Sequence, residues 1–277
     1  ALSTQEKNIL VCAPSNAAID MLTEKLSRQG LNVIRIGNLS RMDENILSYT
    51  LEGRLANHPL YKEIKKLKRQ AEEYRRMALK YKRNFGKAER EQRKLLLKEA
   101  KNLSQEAVKI ENQLISSLID GADVIAATLV GIVNPYLAGR NFKSLFIDEA
   151  AQALEPACWI PIAKSERVIL AGDPFQLPPT VKSAEAQKAG LNVTLIEKCI
   201  QRHAQVNLLN IQYRMHEDIM GFSNKQFYAG ALQAHPSVAG HRLSLPENQP
   251  LEFIDTAGCS FDEHINPETL SFYNPGE

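Results

Sequence analysis

Short runs of consecutive apolar residues recur along the chain, separated by segments in which apolar residues return every three or four positions. A continuous apolar run is typical of a strand buried on both faces of a parallel sheet, and the wider spacing is typical of an amphipathic helix. Their alternation predicts an α/β fold, with a parallel sheet flanked by helices. The predicted strands are Ile9–Ala13, Leu31–Ile36, Val124–Thr128, Leu145–Ile147, Val168–Ala171, Val206–Leu209 and Leu251–Ile254. The predicted helices are Ala17–Arg28, Glu155–Ala163, Val193–Ile200 and Glu217–Tyr228.

A long segment with heptad spacing interrupts this alternation. Its apolar residues lie alternately three and four positions apart, which indicates two helices packed along a common seam. A short break between the two series predicts an antiparallel helical hairpin inserted into the α/β domain, with Leu60–Arg83 as its first helix. The seam residues are Ile64, Leu67, Ala71, Tyr74, Ala78, Tyr81 and Phe85, then Leu96, Ala100, Leu103, Ala107, Ile110 and Leu114.

The charge of the chain is concentrated in this hairpin. The segment Lys62–Lys101 carries a net charge of +10 and the remainder −8, although the whole chain has only +2. Such asymmetry is typical of a protein that binds nucleic acid or another anionic partner. A helical hairpin whose charges serve only solubility fits the same pattern. The candidate nucleic-acid-binding residues of the hairpin are Lys65, Lys66, Lys68 and Arg69.

Two observations exclude other classes of protein. The four cysteines form no C-x-x-C pair and no zinc-binding pattern, so reduced thiols are expected. The longest nearly apolar run, Val124–Val133, is ten residues long, whereas a membrane helix needs about 20. We therefore expect no membrane partner and a cytoplasmic protein, with the nucleus open as a compartment in a eukaryote.

Two adjacent carboxylates follow the predicted strand Leu145–Ile147. Ligands of open α/β sheets bind at the carboxyl ends of the strands. An aspartate there, Asp148, is suited to hold Mg²⁺ through water, and the next residue, Glu149, is suited to orient or deprotonate an attacking water. An Asp-Glu pair also opens many helices, so the pair alone leaves both interpretations open.

Other predicted strands also end in polar residues. Val168–Ala171 precedes a proline-stiffened loop that contains Asp173 and Gln176, a geometry suited to sensing a phosphate. Downstream of Val206–Leu209, the ring of Tyr213 is suited to stack on a purine, although the string Gln212–His216 taken alone is better explained as the cap of the helix that starts at Glu217.

Two further polar groups adjoin these strands. The guanidinium of Arg214, beside Tyr213, is suited to a phosphate. The strand Ile9–Ala13 ends in Pro14, Ser15 and Asn16, which suit either a nucleic-acid phosphate or the N-terminal cap of a helix.

These strings together resemble the motifs of superfamily 1 helicases, and most closely the branch of the nonsense-mediated-decay RNA helicase, senataxin and the immunoglobulin mu-binding helicase. In family order the strings are V-C-A-P-S-N-A-A-I-D, A-D-V-I-A-A-T, I-D-E-A-A-Q, G-D-P-F-Q-L-P-P and Q-Y-R-M-H. The resemblance runs from about Asn8 to Tyr228, apart from the hairpin. It implies a RecA-like first domain in residues 1–58 and 119–230, with the hairpin inserted at 59–118. Residues 231–277 would form a linker and the start of a second RecA-like domain.

The resemblance also implies an activity and roles for individual residues. The activity is that of a motor that uses ATP and Mg²⁺ to move on single-stranded RNA or DNA and to separate duplexes. Asp148 would position the ion and Glu149 would activate the hydrolytic water. The remaining catalytic and nucleotide-binding residues would be Asp173, Gln176, Gln212, Tyr213 and Arg214, and those on the nucleic-acid strand would be Pro14, Ser15, Asn16 and Thr128.

The chain departs from the family pattern in two ways. It contains no G-x-x-x-x-G-K-[ST] phosphate loop, which the family places shortly before Ile9 and thus upstream of Ala1. It also ends where the second RecA-like domain begins. We therefore expect the central part of a larger helicase, without appreciable ATPase activity on its own. The alternatives are a non-catalytic nucleic-acid-binding module derived from a helicase and a scaffold that acts through its coiled coil. RNA versus DNA, the direction of movement and protein partners stay open.

Overall fold

The computed structural model describes residues 5–38, 40, 44–80, 86–202, 205–243 and 249–276. The chain divides into two compact units, Ala1–Gln205 and Val206–Glu277. The domain limits predicted from the sequence, with a boundary after residue 230, concern the family's domains and stay a prediction. No helix within the described ranges is long and apolar enough to cross a membrane.

The first unit is built on a five-stranded parallel sheet with the order β2-β3-β1-β4-β5. Its strands are β1 Ile9–Ala13, β2 Val33–Ile36, β3 Val124–Thr128, β4 Phe142–Ile147 and β5 Ser165–Leu170. Its helices are α1 Asn16–Arg28, α2 Leu51–Asn57, α3 Leu60–Leu79, α4 Lys87–Asp120, α5 Glu155–Ile162, α6 Ala184–Lys188 and α7 Leu195–Gln201. Single 3-10 turns cover Glu44–Tyr49, Pro135–Leu137 and Ala150–Gln152. The predicted α/β class and parallel sheet are confirmed.

The central strand β1 is buried on both faces, which explains its continuous apolar run. Leu10 lies opposite Ile125 of β3 and Leu145 of β4 in the parallel register. Leu10 lies on the face of the sheet whose core also contains the apolar residues at the base of the hairpin. Ile9, Val11 and Ala13 lie on the opposite face and pack against α1. A strand covered on both sides has no polar alternation, so its limits were predicted correctly from the sequence.

The inserted hairpin lies between β2 and β3 in the chain, and its two helices run antiparallel. Lys68 Nζ lies 2.8 Å from Glu111 Oε2, and Arg75 Nη2 donates to Ser104 Oγ at 3.0 Å, so later residues of α3 face earlier residues of α4. The predicted hairpin is therefore confirmed, although its first helix ends at Leu79, before the predicted limit Arg83, because the backbone of Lys80 is extended. Tyr81 and Phe85 of the predicted seam lie outside the described residues. The fully buried seam residues are Ile64, Ala71, Ala78, Ala100, Ala107 and Leu114.

The second unit contains short elements. Its strands are β6 Ile211–Gln212 and β7 Gln233–Ala234, which are parallel, and β8 His264–Ile265 and β9 Phe272–Tyr273, which are antiparallel. Its helices are α8 Glu217–Phe227 and α9 Pro236–Ala239.

Two predicted strands, Val206–Leu209 and Leu251–Ile254, were wrong, because neither segment is in a strand. Leu209 is 90% exposed and Phe253 is 89% exposed. An apolar run becomes a strand only where a neighbour pairs with its backbone and layers cover its faces. Neither condition is met by the described residues around these two segments.

A buried ion pair joins α1 to β2. The guanidinium of Arg35 is 0% exposed, and its Nε donates to Asp20 Oδ1 at 2.7 Å. Its remaining nitrogens donate to Asn16 Oδ1 at 2.9 Å and to the carbonyl of Ile36. Arginine in a buried strand is tolerated here because each nitrogen has an acceptor. The interaction fixes the first turns of α1 against the sheet.

We expect Asp20→Ala to lower the free energy of unfolding by about 3–5 kcal/mol, because it leaves the Arg35 guanidinium buried without its carboxylate. Urea denaturation followed by circular dichroism measures the change. Glu24→Ala, which removes the exposed partner of Arg28, is the control and should cost less than about 1 kcal/mol. Equal effects of the two substitutions would contradict this account of the pair.

Candidate functional site

The candidate site lies at the edge of the sheet where the parallel strands end. The turns after β3, β1, β4 and β5 come together there, because parallel strands have their carboxyl ends on one edge. Backbone hydrogen bonds join these turns. Leu129 N donates to Ala13 O at 3.2 Å, Asp148 N to Cys12 O at 2.8 Å, and Ala171 N to Ile147 O at 2.8 Å. The sheet therefore places the candidate residues of the first unit along one row.

The Asp148–Glu149 turn has a strained backbone. Asp148 still pairs with β1, and Glu149 then adopts the left-handed conformation, with φ 52° and ψ 37°. A residue with a Cβ pays about 1–2 kcal/mol for this conformation, and such strain is concentrated at functional sites. Both side chains are partly exposed, and Glu149 Oε2 accepts a hydrogen bond from Gln152 Nε2 at 3.1 Å. Glu149 makes no side-chain cap to the following 3-10 turn, so its capping interpretation is not supported.

The loop that follows β5 is ordered around one carboxylate. Asp173 Oδ1 accepts from the backbone nitrogen of Phe175 at 3.1 Å, and Asp173 Oδ2 accepts from Gln176 Nε2 at 3.0 Å. The structure therefore brings the predicted residues Asp173 and Gln176 into direct contact.

This loop also packs against the Asp148–Glu149 turn through Gly172. A Cβ at Gly172 would lie 2.9 Å from the backbone nitrogens of Ala150 and of Ala151. Ala150 N donates to Ala171 O at 2.8 Å, so the two turns are joined backbone to backbone. The close packing at Gly172 was not predicted from the sequence. The signal that could have indicated it is the glycine that stands directly before the polar turn in the G-D-P-F-Q string.

The candidate strand-binding residues have structural partners. Ser15 Oγ accepts from Ala18 N at 3.2 Å and caps α1, so its capping interpretation is satisfied. Asn16 Oδ1 accepts from Arg35, and Thr128 Oγ1 accepts from Gly131 N at 3.1 Å. Both hydroxyls keep a proton to donate, which suits contact with a phosphate oxygen. Pro14, half-buried, opens the same turn.

The remaining nucleotide-site candidates belong to the second unit. Gln212 shapes the turn after β6, because its Oε1 accepts from Arg214 N at 2.7 Å and from Met215 N at 3.0 Å. Tyr213 is 64% exposed and stacks on His235, with ring centroids 4.4 Å apart. Arg214 is exposed. The contact with His235 was not predicted, since nothing in the sequence pairs two residues so far apart.

The cations predicted on α3 have close neighbours. Lys68 pairs with Glu111 at 2.8 Å and Arg69 Nε with Glu73 Oε1 at 3.2 Å. Lys65 Nζ lies 4.8 Å above the ring of Tyr61. Lys66 is exposed.

The donor set at the sheet edge fits a magnesium ion held together with a nucleotide. The described residues contain no group of three or more His, Cys, Asp or Glu side chains that would hold a metal by themselves. Magnesium in nucleotide sites needs only one or two carboxylates, with waters and phosphate oxygens as its other ligands. The partly exposed carboxylate of Asp148 meets this requirement.

The chain is similar to several known proteins. Two family models, each described as an AAA domain, match residues 2–184 and 191–277. DNA-binding protein SMUBP-2 of Mesocricetus auratus is 35% identical over 287 aligned positions, which cover 99% of this chain and 28% of that protein. The regulator of nonsense transcripts 1 homolog of Drosophila melanogaster is 34% identical, over 97% of this chain and 21% of its own length. An uncharacterized ATP-dependent helicase of Methanocaldococcus jannaschii is 31% identical, over 96% and 46%.

The fold, the polar strand ends and the family models together define an AAA-type domain. The chain spans less than half the length of each of these relatives. It belongs to the superfamily 1 helicases, in the branch that contains the regulators of nonsense transcripts and SMUBP-2.

We expect Gly172→Ala to lower the free energy of unfolding by about 1–3 kcal/mol, because backbone atoms that cannot rotate away block the new methyl group. Gly221→Ala in α8 is the control, since a Cβ there meets no atom within 4 Å. The control should be stabilising by about 0.5–1 kcal/mol. Chemical denaturation of both variants checks the difference, and a Gly172→Ala protein as stable as the parent would refute the close packing of the two turns.

Proposed function

We propose that this chain is the central part of an ATP-dependent helicase that moves on single-stranded RNA or DNA. The observation that carries the proposal is the contact of the Asp173–Gln176 loop with the Asp148–Glu149 turn at the carboxyl edge of the sheet. A motor needs the nucleotide end of its site to be joined mechanically to the strand-binding end. The row of turns at this edge provides such a connection.

In this proposal the two carboxylates have separate roles. Asp148 would hold Mg²⁺ through water, and the ion would neutralise charge on the phosphates. Glu149 would accept a proton from the attacking water as a general base. Its backbone is left-handed, and the amide of Gln152 donates a hydrogen bond to one of its carboxylate oxygens. The other oxygen remains for water.

The loop after β5 would report the state of the γ-phosphate. The Gln176 amide is held by Asp173, and a phosphate oxygen is a competing acceptor for the same amide. Because Gly172 contacts the backbone of Ala150 and Ala151, movement of the loop displaces the Asp148–Glu149 turn. The hydrogen bond from Asp148 N to Cys12 O would continue the connection to β1 and the strand-binding side.

The nucleic-acid strand would lie over the turns that follow β1 and β3. Ser15 and Thr128 would donate their hydroxyl protons to phosphates, with Pro14 and Asn16 beside them. In the second unit, the exposed ring of Tyr213 is suited to pack on adenine. Gln212 would hold that turn in shape, and Arg214 would contact the γ-phosphate.

The sequence contains no phosphate loop, so the 277 residues lack the usual ligands of the β- and γ-phosphates. We propose that this chain by itself hydrolyses no appreciable ATP. The same observation favours the second candidate function, a nucleic-acid-binding module without catalysis.

In the full-length gene product, Glu149→Gln is expected to lower the nucleic-acid-stimulated kcat for phosphate release by about 10²-fold or more, because an amide cannot accept the proton. A coupled phosphate assay measures it. Glu166→Gln, at an exposed position of β5, is the matched control and should retain the parental rate. If the gene product releases no phosphate, or if Glu149→Gln leaves the rate unchanged, the binding-module function replaces the motor.

A further inference from the structure

One face of α4 carries a row of cations. Lys87, Arg90, Lys94, Lys98 and Lys101 follow one another at intervals of three or four residues, and all five are exposed. At 100° per residue they fall on the side of the helix opposite the buried seam residues of α4. We call these five residues the α4 basic row.

The α4 basic row differs from the cations of α3 in its electrostatic environment. None of its five side chains forms an ion pair or a hydrogen bond with the part of the chain that the structure describes, whereas Lys68 and Arg69 of α3 are each paired with a glutamate. Glu91 lies at the margin of the row and lowers its charge without dividing it. The α4 basic row therefore presents five exposed cations along one helix face, and no carboxylate of the described residues lies within ion-pair distance of any of them.

The length of the α4 basic row and the residue types of α4 indicate which kind of ligand the row can bind. Fifteen residues of helix from Lys87 to Lys101 give a straight row about 21 Å long at 1.5 Å per residue. The sequence of α4 contains no Phe, Tyr or Trp, so it offers none of the aromatic platforms on which unpaired bases stack. The row is thus suited to phosphates alone, and duplex nucleic acid presents them at twice the axial density of a single strand.

We propose that the α4 basic row binds the phosphate backbone of duplex nucleic acid. The inference rests on the proposed function, and it assigns to the hairpin the duplex rather than the single strand that the sheet edge would hold. It also moves the main contact of the hairpin away from the α3 residues Lys65, Lys66, Lys68 and Arg69 to the outer face of α4.

The test is a salt titration of binding with the full chain and two fluorescent probes, a 20-base-pair duplex and one of its strands. The variant carries Arg90→Gln, Lys94→Gln and Lys98→Gln, which keep helix-forming side chains. The control variant loses the same charge elsewhere, at exposed positions outside the hairpin, through Lys25→Gln, Lys143→Gln and Lys188→Gln. Circular dichroism verifies that both variants keep the parental helix content.

For the duplex, the slope of log K against log salt concentration should fall by about 2–3 in magnitude in the α4 variant, since each lost phosphate contact removes about 0.9. The control variant should keep the parental slope. An unchanged slope for the duplex, or a decrease in slope for the single strand alone, would overturn this inference. Salt-dependent binding of the single strand would still support the proposed function in that case. Failure of the parental chain to bind either probe would count against both.

Discussion

The parallel pairing of β1 with both β3 and β4 is the constraint on which the site depends. It brings the turns after these strands to one edge, and the hydrogen bond from Asp148 N to Cys12 O fixes where β4 ends relative to β1. The burial of β1 on both faces holds this register, since a shift by one residue would exchange its two buried faces. The candidate carboxylates therefore owe their position to the core and not to interactions of their own.

Strain and close approach occur where the chain leaves this sheet. Glu149 adopts a left-handed conformation, and Gly172 leaves no room for a side chain against Ala150 and Ala151. The left-handed conformation of Glu149 lowers the stability of the fold, and the close contact at Gly172 restricts which residue can occupy that position. Neither feature improves the packing of the core. In the proposed function, both features would make the turn after β4 and the turn after β5 move together. The Arg35–Asp20 pair connects the outer strand β2 to the first turns of α1.

The sequence predicted the elements whose burial is uniform. The strands Ile9–Ala13 and Val124–Thr128 have the predicted limits, and the described part of the hairpin has the predicted seam, because apolar spacing reports directly on strands and helices that are buried in a regular way. Val206–Leu209 has the same apolar character, but among the described residues no layer covers it, and apolar spacing alone does not reveal whether a run is covered.

For the candidate site, the sequence indicated which residues to expect but not which side chains they contact. The chemistry of Asp148, Glu149, Asp173 and Gln176 was visible in the strings of residues, and their common edge followed from parallel strands. The partners of single side chains were not visible, because contacts such as Asn16 with Arg35 or Tyr213 with His235 depend on how distant segments fold back. Charge counts located the basic hairpin, but the pairing of Lys68 with Glu111 depends on the packing of α3 on α4 and was not visible in the sequence.

The proposed function requires that binding of nucleotide at one end of this sheet edge changes binding of the nucleic-acid strand at the other end. The thermodynamic linkage between the two ligands measures this coupling. The measurement is the affinity of the full-length gene product for a single-stranded oligonucleotide, with and without a non-hydrolysable ATP analogue and Mg²⁺. Coupling free energies of 1–3 kcal/mol correspond to about 5–150-fold changes in affinity. We expect the affinity for the oligonucleotide to change by a factor in that range when the analogue is bound. The substitution Gln176→Ala should bring this factor closer to one. Equal affinities with and without the analogue, in a protein that binds both ligands, would contradict the account.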